Sequence, residues 1–188
     1  WMISISASNV CIADMTIECI KADGASITGI NTDFASGTCG TGLYFRNLYI
    51  SISNNYHILG IRNRDASGTV QNVKMNLVQS SNTAASIWGF YAENVASAEA
   101  AARWDMYNCE ITGAGNNSGT VNAFNIQWTT PGAAIVAWLY NCKAVATNIG
   151  TGSGYGYILS GSSAQLREVG CYANAKTYTY AHDLGYGY

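Results

Sequence analysis

Charge is what this chain has least of. Only 11% of its 188 residues are charged, roughly half the usual share, and the net charge is −2. That argues against a grip on nucleic acid, which needs many lysine and arginine contacts with phosphates, so no nucleic-acid partner is expected. Proline is nearly missing: Pro131 stands alone against 20 glycines. Low charge without proline bias is not the composition of a disordered chain. No stretch approaches the ~20 apolar residues of a membrane helix, so membrane insertion is not expected. The six cysteines, at 11, 19, 39, 109, 142 and 171, include no C-x-x-C pair, which argues against structural zinc. Spacing supports no phosphate-binding glycine loop and no Ser-His-Asp arrangement, and His57 and His182 have no identifiable acid partner. Neither a metal nor a cofactor is expected. The residues from Ser4 to Ile12 lack the regions of a signal peptide.

What the chain does have is self-similarity. Tyr107-Asn108-Cys109 recurs as Tyr140-Asn141-Cys142, and each copy follows a tryptophan, Trp104 or Trp138. Weaker copies are Asp14-Met15, Asn47-Leu48, Asn72-Val73 and Gly170-Cys171. The six recur at intervals of about 25–36 residues, a period that indicates a repeat architecture. Downstream of each copy the residues alternate with period two, as in a strand with one buried face. The inward set runs Met15, Ile17, Cys19; Leu48, Ile50, Ile52; Val73, Met75, Leu77; Cys109, Ile111, Gly113; Cys142, Ala144, Ala146; and Cys171, Ala173, Ala175. Cys109, Cys142 and Cys171 share one column, which predicts a buried stack of reduced thiols. The shrinking of this set to alanine requires aromatics from elsewhere to fill the core, or a narrower core.

A second strand recurs between these copies, around a small residue: Gly29, Gly60, Gly89, Ala123 and Gly156. Ile30, Ile61, Phe90, Phe124 and Tyr157 follow it and are expected inward, with Leu59, Trp88 and Tyr155 beside them. The connection leaving this strand varies in length, as insertions on one side of a solenoid do, and the alanine-rich run 96–102 within it favours a short helical turn. Gly185-Tyr186-Gly187-Tyr188 repeats Gly154-Tyr155-Gly156-Tyr157, which predicts a further copy of this strand and a chain stopping midway through a coil. The 188 residues are therefore expected to form one β-helix segment excerpted from a longer polypeptide.

The expected fold is all-β: a right-handed, single-stranded parallel β-helix with about 31 residues per coil and five to six coils. With its Asn column (Asn47, Asn72, Asn108, Asn141) and stacked core, the chain resembles the pectate-lyase-like β-helices. Within that group it is most similar to the trunks of bacteriophage tailspikes and tail fibres. The resemblance implies a homotrimer on a virion tail appendage, with a structural and host-surface glycan-binding role. A polysaccharide lyase or glycoside hydrolase on the same fold is the competing class. A bacterial adhesin, extracellular or on the cell surface, is a third. No catalytic motif of a named lyase family is present.

Candidate residues follow from the repeat frame. Four positions after the small residue come Asp33, Arg64, Glu93, Gln127 and Ser160, outward by parity. Asp33 and Glu93, two coils apart, would lie roughly 9.6 Å apart, within reach of the ~6.5–9.5 Å carboxyl spacing of inverting glycosidases. They are the candidate catalytic pair, with Asp65 and Asp105 as further carboxylates, but Arg64 between them favours a self-neutralising charge row. Two positions after the small residue come Asn31, Arg62, Tyr91 and Asn125, a candidate saccharide-binding row. Two positions before it come Ile27, Ile58, Ile87 and Val121. Strict alternation sends these outward, which predicts an aliphatic stripe buried by a neighbouring subunit of the trimer.

Overall fold

The Asn-containing tripeptides mark a bend. In the computed structural model, Asp14, Asn47, Asn72, Asn108 and Asn141 have φ between 50° and 56°, and Gly170 has 66°. Asparagine, aspartate and glycine tolerate this left-handed backbone, whereas β-branched residues do not. One such residue per coil turns the chain, within a continuous strand at Asp14 and Asn47 and between two strands at Asn72, Asn108, Asn141 and Gly170. The amides stack outside the bend: Asn47 Nδ2 donates to Asp14 Oδ1 (2.7 Å), Asn72 to Asn47 (3.1 Å) and Asn108 to Asn72 (3.3 Å). The structure describes all residues except 22–23, 35–38, 82–83, 95–100, 117, 129–132, 177, 184–185 and 188. Most of the alanine-rich run 96–102 thus lies outside the described residues.

Three strands make each coil. The A-strands, β1 (Ile3–Ile5), β3 (Ile27–Asp33), β5 (Ile58–Arg64), β8 (Ile87–Asn94), β11 (Val121–Trp128), β14 (Gly154–Ser160) and β17 (Tyr178–Asp183), stack in that order into one sheet. The B-strands precede the bend: β6 (Ala66–Gln71), β9 (Ala102–Tyr107), β12 (Ile135–Tyr140), β15 (Ala164–Val169) and β18 (Tyr186–Gly187). The C-strands follow it: β7 (Lys74–Gln79), β10 (Glu110–Gly115), β13 (Lys143–Asn148) and β16 (Tyr172–Ala175). Strands β2 (Cys11–Ile20) and β4 (Gly40–Asn54) run through the bend, so the first half of β4 pairs with β6 and its second half with β7. The pairings are parallel, no helix occurs among the described residues, and the whole is a β-solenoid of about four turns. Ile27, Ile58, Ile87, Val121 and Gly154 stand in register on successive coils, at intervals close to the expected coil length.

The aliphatic stripe does not face outward. Ile27 is 5% exposed, and Ile58, Ile87 and Val121 are fully buried in the core of the single chain. They therefore offer no surface to a neighbouring subunit. The expectation failed because alternation breaks at the small residue: Gly60 and Ile61 are both buried, as are Gly89 and Phe90. Two consecutive inward residues reverse the parity, so the aliphatic two positions before the small residue and the residue just after it both enter the core. The glycine permits this by close approach: a Cβ on Gly60 would lie 2.6 Å from Met75 Sδ and 2.7 Å from the Gly89 carbonyl oxygen. Leu59, Trp88 and Tyr155 are consequently on the outer face, half-buried.

The C-strand alternation holds, with Met15 exposed on the first coil. Where this set shrinks to Ala144 and Ala146, aromatics fill the space. Phe124 and Tyr157 stack at 5.2 Å, and the Tyr157 hydroxyl lies 3.1 Å from the carbonyl oxygens of both Cys142 and Tyr172. Trp104 is buried against Phe45 and Phe90, whereas Trp138 lies outside. Trp104 stands three positions before its tyrosine and Trp138 two, and that offset of one selects the opposite face. All six cysteines are free, with Cys109 and Cys142 buried and Cys171 half-buried in the common column. A hydrogen bond with Cys109 pushes the pKa of the Cys142 thiol up to about 12. A second column of buried amides, Asn54, Gln79 and Asn148, closes the corner after the C-strands, where Asn54 Nδ2 donates to the Ala25 and His57 carbonyls.

The C-terminal repeat falls elsewhere than expected. Tyr186 and Gly187 pair with Gln165 and Leu166 as a B-strand, while Tyr178 and Tyr180 take the places beside Tyr155 and Tyr157. The step from Tyr157 to its partner Tyr180 is well short of the usual coil. A short connection brings the chain back early, and Tyr178-Thr179-Tyr180 supplies the same alternation as the later dipeptides.

Candidate functional site

The outer face of the A-sheet gathers most of the predicted site residues. Alternation past the parity break turns Arg62 and Tyr91 outward in one row and Asp33, Arg64, Glu93 and Gln127 in the next. Asn31 and Asn125 belong to the first row but are buried, at 3% and 7% exposure. They are short side chains, Asn31 beside Arg62 and Asn125 between Tyr91 and Ile158, and the longer neighbours on adjacent coils close over them. As contacts for a ligand they are replaced by Trp88 and Leu59 from the row on the other side of the break.

Glu93 is the centre of the polar network. Its Oε1 accepts from Arg62 Nη2 at 2.8 Å and lies 3.9 Å from Arg64 Nε; its Oε2 accepts from the Tyr91 hydroxyl at 2.8 Å. Arg64 also reaches Asp33, at 3.7 Å, and so stands between the two carboxylates. The Tyr91 hydroxyl lies 3.0 Å from Gln127 Oε1 as well. Burial, followed by the neighbouring Glu93 charge, holds the Tyr91 phenol well above its ordinary range, so it stays a hydrogen-bond donor. Among the described side chains of this network, two guanidiniums, Arg62 and Arg64, balance two carboxylates, Asp33 and Glu93. The other carboxylates are engaged elsewhere: Asp65 is buried at a left-handed turn (φ 50°), and Asp105 is gripped by Arg103.

An aromatic run borders this network. Trp88 stacks on His57 (5.7 Å, 4°) and on Tyr91 (5.9 Å, 27°), and Tyr56 meets His57 edge-on at 4.5 Å. His57 Nδ1 accepts the Ser86 backbone N–H at 2.9 Å, which places the proton of the neutral ring on Nε2. With the Asn122 amide oxygen turned towards the indole, Trp88 Nε1–H donates to it at 3.0 Å. Between these groups lies a cleft of about 350 Å³. Arg62, Tyr91 and Glu93 form its polar wall, Trp88 and Leu59 its apolar wall, and Trp1, Ser26 and Thr28 its rim. Arg62, Tyr91 and Glu93 are legible in the sequence by counting from the small residue. Trp88 and His57 are not: the parity break hides the first, and the second lies in a turn before β5.

Such a cleft can hold a sugar ring by stacking and by hydrogen bonds from a guanidinium and a phenol held in place by one carboxylate. Among the described residues, no three metal-ligating side chains converge. No family model, curated protein or solved structure matches the chain.

Proposed function

We propose that this chain is a β-solenoid segment that binds uncharged surface saccharides through the outer face of its A-sheet, as part of a host-attachment appendage such as a phage tail fibre or tailspike. The observation that carries the reading is the cleft itself: Trp88 and Leu59 beside an Arg62–Glu93–Tyr91 hydrogen-bond network. An aromatic side chain beside a fixed planar donor suits the alternating apolar and hydroxylated surfaces of a pyranose. Among the side chains that line the cleft, Arg62 and Glu93 balance each other, which favours neutral sugars over acidic ones.

The hydrolytic alternative would use Asp33 and Glu93. Arg62, Arg64 and the Tyr91 hydroxyl all engage Glu93, so its oxygens are already occupied by neighbours and not aimed at a substrate. The binding reading is therefore preferred. A trimer, as in the trunks that the sequence resembles, would have to form through a face other than the buried aliphatic stripe. The test is a glycan array probed with the parent and with Trp88→Ala, beside an assay for new reducing ends or unsaturated products on the glycans retained. Retention that Trp88→Ala removes, without product, supports the proposal. Product formation that Glu93→Gln abolishes would replace binding by catalysis.

A further inference from the structure

The B-sheet presents a second face of different electrostatic character. Period-two alternation sends Arg103, Asp105 and Tyr107 outward from β9, Val136, Trp138 and Tyr140 from β12, and Gln165 and Arg167 from β15. The Tyr107 and Tyr140 rings stack at 5.0 Å and 6°. Trp138 lies under two guanidiniums, with Arg103 Cζ 4.4 Å and Arg167 Cζ 5.0 Å from its ring centre.

The two arginines are not equivalent. Arg103 is neutralised by Asp105, to which its Nε and Nη2 donate at 3.0–3.2 Å. Arg46, Arg62 and Arg64 likewise each have a carboxylate within 4.0 Å. Arg167, of the five arginines, is the one with no carboxylate partner among the described residues. A ring face orients a guanidinium but leaves its charge and its fork of N–H donors unspent. Among the described residues of this patch, Arg103 and Arg167 set against Asp105 leave one positive charge over. Beside it is a cavity of about 220 Å³ walled by Val136, Trp138, Gln165, Leu166 and Arg167.

We infer that this B-sheet patch is a second binding site, for a sugar unit carrying an oxyanion, carboxylate or phosphate. Arg167 takes the oxyanion through two parallel N–H donors, the geometry in which guanidinium excels. The exposed Gln165 amide meets a ring hydroxyl, and Val136 with the Trp138 edge takes the apolar ring surface. The site shares no residue with the A-sheet cleft and does not depend on that cleft binding anything.

The experiment is an NMR titration of the ¹⁵N-labelled chain with glucuronate, glucose 6-phosphate, inorganic phosphate and glucose at constant ionic strength. The indole N–H of Trp138 and the Nε–H of Arg167 are followed, with the buried Trp104 indole reporting an intact fold. The sugar anions are expected to shift both signals and glucose neither, and the tighter of the two anions assigns the source of the oxyanion. Arg167→Gln is expected to weaken that binding by about tenfold or more, the worth of a charge-assisted hydrogen bond. Arg167→Lys should fall between the two, and Arg46→Gln, at an ion pair that lines neither cleft, should leave this titration unchanged. Equal shifts with glucose and glucuronate, or an unchanged titration in Arg167→Gln, would overturn the site. Inorganic phosphate binding as tightly as the sugar anions would overturn the sugar.

Discussion

Replacing Ile58 with alanine separates a core residue from an interface residue. Ile58 is fully buried within one chain and sits in register between Ile27 and Ile87 of the adjacent coils. Those coils are tied by backbone ladders on both sides and can collapse little into the space left. The loss should therefore lie within the usual range for removing a buried branched aliphatic, about 2–5 kcal/mol. At ~2–4 °C per kcal/mol for a chain of this size, the melting midpoint should fall by about 4–20 °C. The assay is thermal unfolding followed by circular dichroism at two widely different protein concentrations. A core residue lowers the midpoint equally at both, whereas an interface residue makes the loss depend on concentration. A drop equivalent to less than about 0.5 kcal/mol, the range of exposed positions, would refute the burial argument. So would a loss confined to one concentration.

Three further outcomes follow from the same frame. Asn108→Ala should cost about 1–2 kcal/mol for placing a side chain in the left-handed region, while Asn108→Gly should lose less; denaturant midpoints decide, and equal losses would count against the bend. Tyr157→Phe should cost about 1 kcal/mol by removing the hydrogen bond that the single hydroxyl proton gives to the Cys142 or the Tyr172 carbonyl, and an unchanged midpoint would mean that the hydroxyl adds nothing to stability. Glu110, hydrogen-bonded to Lys143 and 3.4 Å from Lys74, is held below the ordinary glutamate range. Its folded value lies below its unfolded one of ~4.3, so its contribution is present above that pH and lost as the pH falls through the folded value. Glu110→Gln should thus differ from the parent at neutral pH and converge with it in acid, and a constant gap would contradict the pairing.

The bends and the C-strands were legible because each carries a local signal. The Asn-Cys column reports a left-handed residue followed by strict alternation, and Ile50, Leu77 and Ile111 lie where alternation puts them. The A-strands were legible only in part. Nothing in Ile58-Leu59-Gly60-Ile61 states that Gly60 and Ile61 both point inward; that depends on how closely neighbouring coils approach the glycine. The same break hid Trp88, which alternation had placed beside the core. Asn31 and Asn125 show a different limit: their row was correctly outward, but their burial is set by the length of side chains on other coils. Arg62, Tyr91 and Glu93 were found because they lie beyond the break, where counting is again reliable. Trp104 and Trp138 look alike in the repeat and differ by an offset of one, which is all that a strand needs to exchange inside for outside.

The binding proposal is tested most directly by the indole signal of Trp88. In the ¹⁵N-labelled chain, a neutral oligosaccharide retained on a glycan array should shift the Trp88 Nε1–H resonance in a saturable manner and leave that of buried Trp104 in place. Arg62→Gln should weaken the titration, because it removes a cleft donor and frees Glu93 from its closest partner. Saturable binding that leaves Trp88 unmoved while signals elsewhere shift, or a Trp88 shift that Arg62→Gln does not alter, would contradict the account.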